Sequence, residues 1–325
     1  MTRARRCILL FAVAAVTACS SAPYGAPIRV IVPKGATFAA ATDSLGKAGL
    51  VSAPLFFRVY ARLNGKDRNI KPGTYLIKRG TPWSEIVDAL HGGKGLVNTI
   101  TIPEGFQVSQ IVPLLAQTLS VPADSVTAAV RDTALISRLG IPSGSLEGYL
   151  FPDTYAFPDG TRARDAVLEF VRRFEREWTA EWTARLGQLG MTRHEVVTLA
   201  SIVEREAKVA SERPVIAAVY RNRLGAKMLL QADPTVQYAR GSHTARVLYR
   251  DLEIDSPYNT YKYPGLPPGP IASPGAASMH AVLNPADVPF LYFVAMPDGR
   301  HEFRRTLAEH EVAVRAARAA ARQAR

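Results

Sequence analysis

The residue in this sequence best placed to move a proton is a glutamate near the end of an apolar helical stretch. Residues 192–208 read TRHEVVTLASIVEREAK. Thr192 followed by Glu195 is a capping-box start, in which each side chain satisfies a backbone N–H left open at the helix end. Val196, Leu199, Ala200 and Val203 then recur at i, i+3, i+4 and i+7 and make one apolar stripe. At about 100° per residue, Glu206 falls inside the arc of Ile202, Leu199 and Val203, Glu204 falls at its edge, and Arg205 points the opposite way. A carboxylate at the end of a buried stripe loses hydration, so its pKa rises toward the range a general acid needs. The plain alternative is a helix-end glutamate turned to solvent or paired with Arg205 or Arg213, as most such carboxylates are.

Two later stretches carry polar groups suited to lining a cleft. QADPTVQY (231–238) offers Gln231, Asp233, Thr235 and Gln237, and SPYNTYKYPGLPPGPIASPG (256–275) offers Tyr258, Asn259 and Tyr261 ahead of a stiff proline run. Long loops of this kind are more often functional than idle. Tyr, Asn and Gln among prolines suit a sugar groove, although Asn259 and Asp233 could equally make Asx-turns. His91, His194, His243, His280, His301 and His310 show no ligand spacing, so no metal site and no cofactor are expected.

The elements that must position these groups follow from periodicity and punctuation. A β-branched strand from Ile28, a Pro33-Lys34-Gly35 turn and a helical stretch ending near Gly49 come first, then a helical stretch from Pro54 to Leu63. KPGTYLIKRGTPWSEIVDALHGG reads as strand, turn, helix and glycine stop, with Thr81 as cap and Pro82 in the first turn. Ile102-Pro103-Glu104-Gly105 repeats the strand-to-turn pattern of Val32–Gly35. YLIKRGTPWSEIVDAL resembles a LysM-type module, a small sheet with packed helices that grips N-acetylated glycan. Trp83 there could stack on sugar, but an aromatic at a helix start is more often core. Residues 124–139 read as helical, SGSLEGYLFPDTYAFP as a turn-rich loop, and 162–188 as one long helix with Trp178 and Trp182 at i and i+4. Ser211 and Pro214 open a helix that stops at Gly225, and polar loops continue to about Ser278. FLYFVAMPDGRHEF is a hairpin joined at Asp298-Gly299. The last helix carries Arg315, Arg318, Arg322 and Arg325 on one face, an arrangement usual for a solvated end.

With 325 residues, 47% hydrophobic and 21% charged, the chain has room for two domains of ordinary globular composition. The formal net charge of +12 favours anionic surroundings, and the absence of zinc-finger spacing, phosphate-binding glycine loops and aromatic-interleaved basic patches argues against nucleic acid. Arg3, Arg5 and Arg6 precede an apolar run from Cys7 to Ala18, shorter than the about 20 residues that span a bilayer. Val16-Thr17-Ala18-Cys19 looks like a bacterial lipobox, with Cys19 lipidated at the mature N-terminus. No cysteine follows it, which suits a lipoprotein in an oxidising compartment. A secreted protein with a chance cysteine is the alternative.

Six blocks, LEGYLFPDTY (146–155), ASIVEREAK (200–208), LLQADPTVQY (229–238), YNTYKYPGLPPGPI (258–271), SPGAASMHAVLNP (273–285) and LYFVA (291–295), resemble the YceG-like endolytic murein transglycosylases in order and spacing, over roughly residues 28–316. The resemblance implies a lyase that cleaves the MurNAc–GlcNAc β-1,4 bond of peptidoglycan without water and leaves 1,6-anhydro-MurNAc ends. It assigns the acid/base to the second glutamate of the E-x-E pair, Glu206, the residue that the helical wheel also favours. It implies substrate contacts from Gln231, Asp233, Thr235, Tyr258, Asn259, Tyr261 and Glu147. The fold expected is α+β, a small LysM-like strand/helix domain (28–97) before a helical-plus-sheet catalytic domain with long cleft-lining loops (98–325, core motifs 146–295). A signal (1–19) and a tether (20–27) precede them.

The partners implied are peptidoglycan strands, a membrane anchor and peptidoglycan synthases, without nucleic acid. The resemblance implies an anchor in the inner membrane facing the periplasm, whereas the lipobox implies a lipid anchor, and Ser20 after it directs lipoproteins to the outer membrane. A lysozyme-like muramidase using Asp233, Glu147, Asp153 or Glu204 as a second carboxylate, and a non-catalytic glycan-binding scaffold, are the alternatives.

Overall fold

The computed structural model describes residues 23–93, 95–241 and 247–323. Cys7, Cys19 and the rest of the stretch read as a targeting segment, with His243 and Arg325, lie outside the described residues. The chain is mixed α+β and divides into two compact units. The first takes the chain up to Thr99 together with Tyr155–Thr161, and the second takes Ile100–Thr154 and Arg162–Arg325.

In the first unit the sheet order is β1 (Tyr24–Val32), β2 (Gly73–Arg79), β3 (Leu96–Thr101), β4 (Thr154–Pro158). β1 pairs antiparallel with β2 in a register that sets Val30 opposite Tyr75 and Ile28 opposite Ile77. Alternation puts Val30, Val32, Tyr75 and Ile77 inward. Against that face pack α1 (Phe38–Lys47), α2 (Pro54–Leu63) and α3 (Trp83–Gly92), which bury Leu45, Phe57, Ile86 and Leu90. Each such side chain contributes roughly 1.5–3 kcal/mol on burial.

Trp83 meets Phe57 edge-on at 5.5 Å and Tyr60 at 6.0 Å, so its ring belongs to the core packing. Thr81 does not cap α3. Its hydroxyl donates to the Lys78 carbonyl at 2.8 Å, and Pro82 takes the cap position. Two further expectations give way. The tether is shorter than 20–27, since β1 begins at Tyr24 and reaches Arg79 across a bulge. The turn-rich loop after residue 143 contains β4, whose Tyr155 and Phe157 alternate inward.

The second unit is mainly helical: α4 (Val108–Leu119), α5 (Ala123–Val130), α6 (Thr133–Arg138), α7 (Ala163–Glu177), α8 (Ala180–Leu189), α9 (Arg193–Glu206), α10 (Arg213–Gly225), α11 (Asp233–Arg240), α12 (Ala276–Leu283) and α13 (Leu307–Gln323), with the hairpin β5 (Tyr292–Ala295) and β6 (His301–Arg304). The helical stretch from 124 is two helices because the Asp132 carboxylate accepts the Leu135 N–H at 3.1 Å and starts a new one. The long helix from 162 likewise breaks. Thr179 accepts the Trp182 N–H at 3.1 Å and caps α8, so Trp178 leaves the helix and meets Trp182 edge-on at 5.6 Å. Within the stretch read as polar loops, Pro234 at the first turn opens α11. The hairpin forms as its Asp-Gly signal requires, with Phe293 opposite Phe303.

Candidate active site

Helix α9 is the axis of the second unit. The capping box is made: Thr192 Oγ1 accepts the Glu195 N–H at 3.2 Å, and the Glu195 carboxylate accepts the Thr192 N–H at 2.7 Å. From Val196 to Val203 every residue is buried, so the one-faced stripe read from the sequence is a helix surrounded by protein. Ser201 exploits that position, donating to the Thr198 carbonyl at 2.7 Å and accepting the Ile271 N–H at 3.0 Å. The proline-rich loop is thereby tied to the helix. His194 repeats the tie one end earlier: its Nε2 lies 2.8 Å from the Pro268 carbonyl and its Nδ1 2.9 Å from the Tyr149 hydroxyl. Gly148 lets the loop come this close, because a Cβ there would sit 2.4 Å from Pro270.

The two glutamates of the E-x-E pair go to different places. Glu204 is structural. Its side chain is 6% exposed, one oxygen accepts from Arg213 at 3.3 Å, and the other accepts the Gly275 N–H at 3.0 Å, at the start of α12. Arg213, the partner that a helix-end glutamate was expected to find, is thus held by Glu204. Glu206, the last residue of α9, instead lines a cavity of about 510 Å³ with Tyr220, Gln231, Asp233, Tyr261, Phe293 and His301 among its walls. The Tyr220 hydroxyl donates to Glu206 Oε1 at 3.0 Å.

Loss of hydration is the main reason the Glu206 carboxyl is pushed up to about 7. The Tyr220 hydrogen bond and Lys208 oppose the rise, and the negative Asp233 adds to it. Near neutral pH such a carboxyl holds a proton part of the time, and can give one in one step and take one in the next. Tyr220, fully buried and facing that carboxylate, is pushed well above the ordinary phenol range.

Among the residues expected to contact substrate, Gln231, Asp233 and Tyr261 share the cavity with Glu206. The Tyr261 hydroxyl donates to Asp233 Oδ1 at 2.6 Å. Gln231 has a left-handed backbone (φ 52°), rare for a side chain of its kind, and donates its N–H to the Thr260 carbonyl at 3.1 Å. Thr235 and Asn259 are fully buried behind that wall. The Thr235 hydroxyl lies 2.8 Å from that of Thr260 and donates to the Ala232 carbonyl at 2.7 Å. Asn259 donates to the Leu252 and Ile254 carbonyls, both at 2.8 Å, and accepts the Tyr261 N–H at 3.0 Å, which is turn chemistry. The Asn259 side chain is spent on folding its own loop, and that of Thr235 on joining α11 to that loop through Thr260.

Glu147 and Tyr258 do not line the cavity. Glu147 is 5% exposed, and both its oxygens accept the Val108 N–H, at 3.1 and 3.2 Å. The Tyr258 ring lies 4.8 Å from that of Tyr238, whose hydroxyl points at Glu147.

Tyr220, Arg223, Phe293 and His301 are wall residues that the sequence-based selection does not contain. Tyr220 reads as one more member of the apolar stripe of α10, and only its hydroxyl sets it apart. Arg223, one turn on, donates to the carbonyls of Leu291 at 2.6 Å and Leu230 at 2.8 Å, pinning the hairpin to the loop that carries Gln231. Phe293 meets Tyr220 edge-on at 5.7 Å. The His301 side chain is 4% exposed and held by Glu212, which accepts the His301 backbone N–H at 3.0 Å and sits 2.7 Å from its Nδ1. Read from sequence, a histidine shows itself only through metal-ligand spacing, and long-range pairing of this kind leaves no trace in spacing.

One desolvated carboxyl at a helix end facing a polar and aromatic cleft is an arrangement chemically able to give and take a single proton. The YceG-like family profile matches residues 30–316, and the chain belongs to that family. The chain is 35% identical over 301 residues to the endolytic murein transglycosylase of Bacillus subtilis (strain 168), an alignment that covers 88% of this chain and 83% of that protein. It is 30% identical over 316 residues to the endolytic murein transglycosylase of Streptococcus pneumoniae serotype 2 (strain D39), covering 87% of this chain and 57% of that longer protein. A crystal structure of a YceG-like protein from Listeria monocytogenes superposes with a TM-score of 0.65 at 33% identity, over 88% of this chain and 98% of that one.

Proposed function

We propose that this chain is an endolytic lytic transglycosylase of peptidoglycan, in which Glu206 alone serves as acid and then as base. The observation that carries the reading is the Glu206 carboxyl, raised to about 7 by burial and open to the cavity, in a chain of the YceG-like family. Protonated, Glu206 gives its proton to the glycosidic oxygen as the bond from MurNAc C1 to that oxygen breaks, freeing the GlcNAc 4-hydroxyl. As carboxylate it takes the proton of the MurNAc 6-hydroxyl as that oxygen bonds to C1. The products are a 1,6-anhydro-MurNAc end and a new GlcNAc end, with no water consumed and Glu206 restored. Because the attacking oxygen belongs to the substrate, a second carboxylate is not needed, unlike in glycoside hydrolases.

Asp233 is the carboxylate nearest to that second role. Its Oδ1 is committed to the Tyr261 hydroxyl, which supports the transglycosylase over a muramidase. Digestion of sacculi in ¹⁸O-labelled water separates the two. The lyase leaves anhydro ends free of label, whereas labelled reducing ends would make this a hydrolase.

The first unit serves as the glycan-gripping module, in keeping with its LysM-like sequence. The chain is anchored in the envelope by its N-terminal segment, facing the periplasm beside peptidoglycan synthases. Support for the anchor is the arginine-led apolar run and the Val16–Cys19 lipobox. Loss of the membrane-bound fraction on Cys19→Ser would establish a lipid anchor, and retention would mean that residues 1–19 anchor the chain themselves. Separation of the two membranes on a density gradient assigns the chain to one of them.

A further inference from the structure

Helix α2 is apolar on two sides. Phe57 and Ala61 face the core of the first unit and are fully buried. On the outward side, Leu55 is 73% exposed, Phe56 72%, Val59 56% and Leu63 83%. At about 100° per residue, Leu55, Val59, Leu63 and Phe56 fall within one unbroken arc. Arg62 and then Arg58 border that arc on one edge and Tyr60 on the other. Scattered apolar residues on a surface need no explanation, but a contiguous stripe of four large ones on a short helix does. Aliphatic and aromatic side chains bordered by arginine and tyrosine match the interface of an anionic bilayer. There the rings and chains enter the acyl boundary and the guanidinium stays among the phosphates.

The N-terminal sequence points the same way. The described chain begins at Pro23, four residues after Cys19. Four extended residues reach at most about 14 Å. Whether Cys19 carries lipid or residues 1–19 stay in the bilayer, the first unit is held beside the membrane. Arg62, in the last turn of α2, puts a cation at the rim of the stripe, and the chain's formal net charge of +12 suits an anionic surface.

We infer that the outward face of α2, Leu55, Phe56, Val59 and Leu63 with Arg62, rests in the headgroup layer of the membrane to which the chain is tethered. The inference rests on the envelope-anchor reading above and is independent of the chemistry at Glu206. The contact fixes which way the first unit presents itself to glycan close to the membrane.

The chain from Ser20 onward keeps every described residue and lacks the anchor, so any vesicle binding comes from the folded surface. Flotation with vesicles of phosphatidylethanolamine and phosphatidylglycerol should carry it upward. Phe56→Ser/Leu63→Ser, which alters only exposed positions, should weaken that partition at least about tenfold, as expected for losing several buried methylenes. Arg62→Gln should weaken it less, and only on the anionic vesicles. A chain from Ser20 that stays unbound overturns the inference, as does a double variant that floats as well as its parent. So would a concentration-dependent dimer that the double variant abolishes, which would give the face to a second copy. Failure of the anchor reading is separate: it would show as a full-length chain that washes off membranes.

Discussion

Glu206 and Glu147 are two carboxyls of the same unit, both stripped of water and both raised, to about 7 and about 8. They differ in what the lost water was exchanged for. Glu147 lies across the start of α4 with both oxygens on the Val108 N–H, so it stands in for a helix cap and is sealed on all sides. Glu206 lies at the opposite kind of helix end, where backbone N–H groups are not on offer and the dipole disfavours negative charge. Among the described residues its one side-chain donor is the Tyr220 hydroxyl, on Oε1, and the cavity is beside it. A raised pKa alone therefore does not identify an acid/base, since burial produces it wherever a carboxyl is enclosed. Access to a cleft together with an unfilled hydrogen-bonding shell is what separates the two.

The largest effect that tests this contrast is on rate. Glu206→Gln should keep the fold and lose at least about 10²-fold in glycan cleavage, the low end for removing a general acid. Near-parental turnover in that variant would return Glu206 to the ranks of buried structural carboxyls. Glu147→Ala should do the reverse. It leaves the half-buried Val108 N–H without its acceptor, at a cost of about 1 kcal/mol or more, while activity per folded molecule, read beside the thermal melt, stays within a few-fold. Glu204→Gln should likewise act through stability, because Arg213 and the Gly275 N–H lose a charged partner and the cavity loses nothing.

A smaller effect concerns pH. Each raised carboxyl binds more protons folded than unfolded, so each contributes stability that is full below the unfolded value of about 4.5 and lost as pH rises through the folded one. For Glu206 that window closes near 7, and a shift from 4.5 to about 7 corresponds to roughly 3 kcal/mol. For Glu147 it closes near 8. Denaturant melts across pH should therefore fall less steeply between about 4.5 and about 7 in Glu206→Gln, and the fall that remains, running up to about 8, should shrink when Glu147 is also replaced.

The smallest and most specific effect is on the activity profile. Tyr220→Phe removes the donor that favours the Glu206 carboxylate and should move the inflection upward. Asp233→Asn removes a neighbouring negative charge and should move it downward. Shifts of the same sign in both variants would mean that the inflection belongs to another group.

Much of this was legible in the residues, for reasons that differ by element. The α9 capping box and apolar stripe are local, so the helix and its start follow from spacing, whereas its end falls at Glu206 short of Lys208, and spacing left open whether Glu206 turns inward or to solvent. Pro54–Leu63 and the Asp298-Gly299 hairpin follow equally from local rules. The break at Thr179 was hidden because Trp178 and Trp182 fit a continuous helix as well as a cap fits a new one. The helix at Asp233 was hidden by a proline that reads as a loop until it is placed in a first turn. The division of labour within the cleft is tertiary. Thr235 and Asn259 have the same polar character as Gln231 and Asp233, and only the packing of one loop on the other shows which pair faces inward. Tyr220 and the Glu212–His301 pair owe their places to contacts across 14 and 89 positions, which no periodicity records.

The most direct test sets the two buried glutamates against each other on one substrate. Purified sacculi are incubated with the parent chain, Glu206→Gln and Glu147→Gln, and the released muropeptides are read by mass spectrometry for anhydro-MurNAc ends. Anhydro ends from the parent and from Glu147→Gln, with none above background from Glu206→Gln, are the predicted result. Anhydro ends that persist in a folded Glu206→Gln, or that vanish equally in a folded Glu147→Gln, would contradict the account.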